Sequence, residues 1–479
     1  MKNSLNIIGR AKECTTLREI LSSKDAEFLA VYGRRRVGKT FLIDEFFKNK
    51  GRYLSFTGLK DASLQTQLRN FADFLTQNFH PEIPLKTLES WKEAFSFLMV
   101  QLEALPQKQK IILFLDEIPW IATKRSKFIQ TLDYFWNIRL SKMPNLKLIV
   151  CGSAASWMLD NLIHAKGGLY NRLTRSLLLL PFNLRETRDF LNSRGVKLKD
   201  KGIADLYLAM GGVPHYLKQV KKGRTAVQNI NDICFQKDGL LYGEFPNLFR
   251  SLFDDSEVHL KIARALAGHN EGLSSLVLAK AIGQASGGTL SKKLVELEAS
   301  GIIRRFVPYG RKIREHFYRL TDEYCLFYLS FIEPLLHKGL TPGPDYWQLQ
   351  SQTPRFKTWA GYAFENVCYK HANQILMALD LGKIPCEIGT WRSSEAQIDL
   401  LFDRSDGAIS LCEIKYSENL FTIDKAYAMD LHRKVAAFEK FLKGSKQIFL
   451  VLICATGLKQ NLYAKDLVSH SLSLSTLFD

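Results

Sequence analysis

Three groups of residues have types and spacing that can do chemistry. The first is Gly33-Arg34-Arg35-Arg36-Val37-Gly38-Lys39-Thr40, which reads G-x-x-x-x-G-K-T. Its glycines let the backbone wrap closely around phosphate oxygens, and its amides point at the anion. In this pattern Lys39 sits on the β- and γ-phosphates and Thr40 offers its hydroxyl to Mg2+. The loop and the following Phe41 are the candidate contacts to ATP. The second group is Asp116-Glu117, which closes the apolar run Lys110 to Leu115. Asp116 would hold Mg2+ through its water shell, and Glu117 would orient and deprotonate the attacking water. The third group is Asp399, followed after a polar turn by Glu413-Ile414-Lys415. It brings two carboxylates and an ammonium together if the flanking runs pair as a hairpin.

These side chains need elements to position them. The run Phe28 to Tyr32 predicts a strand entering the glycine loop, and Leu42, Ile43, Phe46 and Phe47 predict a helix leaving it. Arg52 to Phe56 alternates and reads as a short strand. Helices are expected between Leu64 and Leu105, from the spacing of Leu68, Phe71, Phe74, Leu75, Phe95, Leu98 and Met99. Continuous apolar runs at 111–115 and 146–151 predict strands covered on both faces, as in a parallel α/β sheet. Carboxylates at the C-terminal end of such a strand lie where these sheets bind ligands.

Further motifs join the first two. Ile8-Gly9-Arg10 with Glu13 opens the chain, Cys151-Gly152-Ser153 ends a buried strand, and Tyr170-Asn171-Arg172-Leu173-Thr174-Arg175 follows Gly167-Gly168. Met210-Gly211-Gly212-Val213-Pro214 breaks a helical stretch. With these pieces residues 5–220 resemble the P-loop ATPases, described widely in archaea, that lie between AAA+ and STAND proteins. The resemblance implies an adenine-side role for the opening motif and a place near the γ-phosphate for Ser153. It implies nucleotide sensing by Gly212 and Pro214. Arg172, ahead of Arg175, is the candidate finger that stabilises transition-state charge. A finger acting on a neighbour's nucleotide requires a homo-oligomer. The alternatives are an ordinary Gly-Ser turn at Ser153, a basic turn before a strand at Arg172 and Arg175, and a helix-to-helix turn at Gly212 and Pro214.

The family typically continues with a winged helix and a nuclease-like domain. Residues 258–320 read as three helices and a hairpin, with Leu290, Leu294 and Leu297 facing inward. Arg304, Arg305, Arg311, Lys312 and Arg314 cluster on or beside the hairpin, where a wing would touch DNA phosphates. A protein-contact or lid role is the alternative. Pro342-Gly343-Pro344 is the expected linker. Beyond it, a helix bearing Glu365, then Asp399 and Glu413-x-Lys415, is similar to the PD-(D/E)xK nuclease core, although Ile398 replaces its proline. That resemblance implies that Asp399 and Glu413 bind one or two Mg2+ ions, with Glu365 completing the shell, and that Lys415 positions the nucleophilic water. His432 reads as a structural or surface residue, and the stretch after Ser469 predicts nothing.

Composition sets the frame. A chain of 479 residues exceeds one ordinary core, and 46% hydrophobic with 24% charged residues suits a globular protein. A net charge of +18 favours a polyanionic partner such as DNA. The eight cysteines lack C-x-x-C spacing and read as buried free thiols of a reducing cytoplasm, which argues against zinc. No secretory leader or membrane span is expected.

The expected fold is α/β: a P-loop ATPase parallel sheet over 1–182, a helical lid over 183–250, a winged helix over 251–340 and an α/β restriction-endonuclease-like domain over 341–479. The expected function is an ATP-binding and ATP-hydrolysing switch for DNA binding or Mg2+-dependent DNA cleavage gated by nucleotide state. A STAND-like scaffold whose last domain only binds a partner is the rival, and a transcription regulator using the winged helix alone is a third reading.

Overall fold

The computed structural model describes residues 6–82, 85–86, 88–123, 125–164, 171–253, 255–312, 314–443 and 446–479. Gly167 to Tyr170 therefore lie outside the described residues. The chain forms two compact units, Met1–Pro181 with Arg250–Asp255, and Phe182–Phe249 with Ser256–Asp479.

The first unit is built on five parallel strands: β1 Glu27–Tyr32, β2 Arg52–Thr57, β3 Ile111–Asp116, β4 Leu146–Gly152 and β5 Arg175–Leu178. Their order is β2-β3-β4-β1-β5. All of β3 and β4 is buried, which is why both are apolar apart from Asp116 and Lys147, the latter with its ammonium donating to the Ser23 and Asp25 carbonyls. One face of the sheet packs against helices Leu64–Phe79, Trp91–Glu103 and Phe128–Ile138 through Phe71, Trp91, Phe95 and Phe128. The other face carries Ala11–Ser22 and Lys39–Phe47 through Leu17, Ile43 and Phe47. Burying each such side chain contributes about 1.5–3 kcal/mol. Because β1, β3 and β4 end side by side, the loops that follow them converge on one edge.

In the second unit, helices Leu184–Ser193, Asp200–Met210 and Ala226–Cys234 come first. Helices Glu257–Ala267, Ser275–Ala281 and Gly288–Ala299 then pack with a small antiparallel sheet of β6 Leu273–Ser274, β7 Ile303–Phe306 and β8 Phe317–Leu320. Leu290, Leu294 and Leu297 are buried as their spacing predicts. A second five-stranded sheet follows: β9 Cys386–Arg392, β10 Gln397–Arg404, β11 Ala408–Lys415, β12 Gln447–Cys454 and β13 His470–Ser473. β9, β10 and β11 are antiparallel neighbours, whereas β11, β12 and β13 run parallel. Helices Pro354–Lys370 and Lys425–Leu442 accompany this sheet.

Two sequence expectations change here. The Pro342-Gly343-Pro344 segment is packed: the Asn231 amide donates to the Pro344 carbonyl, and its oxygen accepts from the Trp347 amide at 3.0 Å. The stretch after Ser469 is not featureless: it forms β13, and Leu474, Leu477 and Phe478 are buried.

The eight cysteines are unpaired thiols, seven of them buried. Among the described residues no helix is long and apolar enough to cross a membrane.

Candidate functional site

The glycine loop sits between β1 and helix Lys39–Phe47. Gly33 has φ 142°, and a Cβ there would lie 2.3 Å from the Leu179 carbonyl oxygen, so no other residue fits without moving the chain. Gly38 turns at φ 92° and sends the following amides into the helix start. Lys39 Nζ donates to the carbonyls of Gly33 and Arg34, each at 3.0 Å, which holds the ammonium over the loop. Arg34 is buried, Arg35 is exposed and Arg36 turns at φ 70°. Val37 is buried in the core, and the Phe41 ring is 52% exposed. Arg10, itself buried, donates to the Leu180 carbonyl at 2.7 Å and the Val37 carbonyl at 3.1 Å. The opening motif thus fixes the loop from outside.

Next to this loop, Thr40 Oγ1 donates to Asp116 Oδ2 at 2.7 Å. A hydroxyl and a carboxylate so placed are the hard oxygen donors Mg2+ takes, so the residues fit that ion. Glu117 adopts a left-handed backbone, φ 48°. Its Oε2 accepts from the Ser153 amide at 3.0 Å and the Ser153 hydroxyl at 2.9 Å. Ser153 therefore meets Glu117, where the resemblance placed it near the γ-phosphate. Burial pushes the Glu117 carboxyl above the usual range, against the pull of Lys39 and Ser153. Glu117 thus combines a left-handed backbone with a half-buried carboxylate that accepts two hydrogen bonds.

Arg172 is exposed in the turn before β5. Arg175 lies within β5, at the sheet edge, with its exposed side chain 3.9 Å from Glu19.

In the second unit the hairpin of β10 and β11 brings the third group together. Leu400 pairs with Cys412, which sets Asp399 beside Glu413, and Asp399 Oδ2 accepts from the Ile414 amide at 3.2 Å. A register shift between Ile398 and Leu401 bends β10 at Asp399. Burial, then the Glu413 carboxylate, raise Asp399 to about 6. Glu365 is raised to about 8 by burial and then by Asp399. Burial opposes the charge of Glu413, yet Lys415 and Lys434 outweigh it and hold that carboxyl below the usual range.

The expected three-carboxylate metal shell of Glu365, Asp399 and Glu413 is not assembled. Among the described residues no group of three or more His, Cys, Asp or Glu is placed to hold a metal ion. The reason is visible at Glu413. Its oxygens are taken by Lys434 at 2.8 and 2.9 Å, by Lys415 at 3.0 Å and by the Tyr427 hydroxyl at 2.9 Å.

The basic hairpin departs from expectation as well. The Arg304 guanidinium lies 3.3 Å over the Tyr369 ring, packed inward instead of facing phosphate. The hairpin tip is docked: the Tyr309 ring packs tilted against Phe438 and edge-on against Phe441, and its hydroxyl donates to Asp403 at 2.7 Å.

Comparison with known proteins decides the first unit. Residues 7–220 match a family described as an ATPase domain predominantly from Archaea. This segment is similar to ATPase domains of that type. Residues 328–430 match a second family, described as archaeal and bacterial proteins of unknown function. An uncharacterized protein of Methanocaldococcus jannaschii is 26% identical over 89% of this chain and 91% of its own length. An uncharacterized ATP-binding protein of Pyrococcus abyssi is 29% identical over 47% of this chain and 72% of its own. Among solved structures, a Walker-type ATPase of Pyrococcus abyssi superposes with TM-score 0.47 at 20% identity, over 68% of this chain and 96% of its own. The ORC2 protein of Aeropyrum pernix gives 0.42 at 14%, over 71% of this chain and 97% of its own.

The ATPase domain gathers Lys39, Thr40, Asp116, Glu117 and Ser153, all of which its sequence marks. Sequence reasoning misses Lys434 and Tyr427. Their signal lies on helix Lys425–Leu442, where Tyr427, Leu431, Lys434 and Phe438 recur at helical spacing. A lysine within an otherwise apolar stripe that packs on a sheet needs a buried anion, and Glu413 supplies it.

Proposed function

We propose that this chain is an ATP-driven switch whose second unit engages DNA. One observation carries the ATP half: Thr40, Asp116, Glu117 and Ser153 are joined by hydrogen bonds of 2.7 to 3.0 Å beside Lys39. Lys39 and the loop amides hold the β- and γ-phosphates. Thr40 and Asp116 hold Mg2+, which when bound neutralises charge on those phosphates. Glu117, steadied by Ser153, aligns water on the γ-phosphorus and takes its proton. Arg172 or Arg175 from a neighbouring copy completes the site in an oligomer. DNA engagement is supported by the net charge of +18 and by three helices beside a β6-β8-β7 sheet, which are the elements a winged helix needs. ORC2 and the other solved structures lend no weight to it.

Cleavage is a separate question. The β10–β11 register that sets Asp399 beside Glu413, with Lys415 3.0 Å from Glu413, supports a PD-(D/E)xK reading, yet Glu413 is occupied by Lys434. That occupation favours the rival reading, a regulatory scaffold whose last domain binds a partner without cutting it. One experiment tests both. DNA cleavage with Mg2+ is measured for wild type, Asp399→Ala and Lys39→Ala, in the presence of ATP, ADP or no nucleotide. Loss of cleavage in both variants supports an ATP-gated nuclease. Loss in Asp399→Ala alone leaves a nuclease without gating. Absence of cleavage in every condition, with DNA bound, supports the scaffold; absence of DNA binding as well refutes the proposal.

A further inference from the structure

The observation that starts this inference is Arg319, on β8. Its side chain is 9% exposed. Its Nε has no hydrogen-bond partner, and among the described residues it makes no ion pair. The carboxylates of Glu365 and Asp399 act on it only at longer range. The Phe306 ring lies 5.2 Å from its guanidinium carbon. Burying a guanidinium without an acceptor is costly. Such a group is kept where a ligand anion supplies the missing acceptors.

Arg319 lines a cavity of about 380 Å³ between the docked hairpin and β9–β10. Two more cations, Arg311 and Arg392, line it with Arg319. Glu271 and Asp399 are the carboxylates on the wall, and Glu271 lies 3.9 Å from Arg392. Arg311 is paired with Glu315 at 3.3 Å and Arg392 with Glu271, so among the described residues Arg319 is the lining cation left without an ion pair. Phe306 and Phe317, ring centroids 6.1 Å apart, make an apolar side. A cavity this size takes one small ligand and excludes a duplex. An anion site beside aromatic faces is the combination that recognises a nucleotide, by phosphate at one end and base stacking at the other.

We propose that this cavity binds a single phosphate-bearing nucleoside unit, with Arg319 on the phosphate and Phe306 and Phe317 against the base. The unit is either a free nucleotide or the phosphorylated end of a strand. Only the second source rests on the DNA reading above; the site itself does not.

The test uses the full chain carrying Lys39→Ala, which removes the phosphate-loop lysine. Deoxyadenosine 5′-monophosphate is titrated by calorimetry. A fluorescent single strand, with and without a 5′-phosphate, is followed by anisotropy. Binding of the monophosphate, of the 5′-phosphorylated strand or of both is expected, and which of them binds identifies the source. Arg319→Gln should weaken it by about tenfold or more, the loss of a charge-assisted contact. Arg392→Gln changes a side chain 56% exposed, so it leaves the core intact, and should weaken binding several-fold. The proposal is overturned if neither probe binds, if both arginine variants bind as the parent does, or if inorganic phosphate alone competes as well as the nucleotide. Duplex DNA without terminal phosphate is measured in parallel. Its failure to bind, with the monophosphate still held, would sink the DNA reading and leave this site standing.

Discussion

The Ser153 hydroxyl makes a quantitative prediction about ATP turnover. Glu117 Oε2 accepts two bonds, from the Ser153 amide at 3.0 Å and the hydroxyl at 2.9 Å. Ser153→Ala removes the second and keeps the first. A hydrogen bond to a charged group contributes about 1.5–3 kcal/mol. Because the amide still holds the carboxylate, the lower end applies, about 1.5 kcal/mol, which is roughly a tenfold fall in kcat. The base itself is worth more: Glu117→Gln should cost about 10²- to 10⁴-fold. Neither change touches Lys39, so affinity for a fluorescent ATP analogue should stay within about twofold of wild type. If Ser153 acts only through Glu117, the double variant should be no slower than Glu117→Gln. The assay is phosphate release under saturating Mg2+ and ATP, with single-turnover rates to separate chemistry from product release. A kcat for Ser153→Ala within twofold of wild type would refute the reasoning. So would a full tenfold loss added on top of Glu117→Gln, since Ser153 would then be working on the phosphate directly.

Two further predictions concern stability. A Cβ on Gly212 would lie 1.9 Å from the Phe182 carbonyl oxygen, whose own amide donates to the Gly212 carbonyl at 2.7 Å. Gly212→Ala must displace that backbone, at roughly 3 kcal/mol, and a thermal melt should fall by several degrees; an unchanged melt would show that the loop simply moves aside. His371 is buried, accepts from the Leu184 amide at Nε2 and contacts the Val367 carbonyl at 2.8 Å through Nδ1. Burial lowers its pKa from 6.5, so below that pH the unfolded chain binds the extra proton. Its stabilising contribution is full above about 6.5 and is lost as pH falls towards the folded value. His371→Gln should remove up to about 1.4 kcal/mol per pH unit from the slope of unfolding free energy over that window. Denaturant titrations at pH 5 to 7 measure it, and identical slopes would rule out His371 as the source.

The ATPase site is legible in the sequence because its chemistry is local. A glycine turn between strand and helix, and a carboxylate pair ending a buried strand, need little beyond their own neighbours to be placed. The parallel sheet also follows, since β3 up to Asp116 and β4 apart from Lys147 are almost wholly apolar. What escapes is whatever depends on long-range packing. The pairing of Ser153 with Glu117 spans 36 positions, and the clamp of Lys434 on Glu413 spans 21. Arg304 reads as a basic group of a wing, yet it packs inward over Tyr369, and the buried Arg319 on the returning strand carries no signal in the sequence. Asp399 and Glu413 are adjacent as their spacing implies, but spacing is silent on the competing ammonium groups.

The docked hairpin tip has a consequence for how the chain acquires its structure. Tyr309 and its partner Asp403 are 94 positions apart, and Phe438 and Phe441 lie further still along the chain. During synthesis the hairpin emerges well before anything that can receive it. Closing a loop of that length is slow, since its entropy must be lost before any contact is gained. Until the last sheet appears, Tyr309 and Phe306 remain open to wrong neighbours, and the nascent second unit passes through an aggregation-prone interval. A fragment ending after the hairpin would keep that state permanently, so truncation at 340 should give an association-prone product, not a free-standing module.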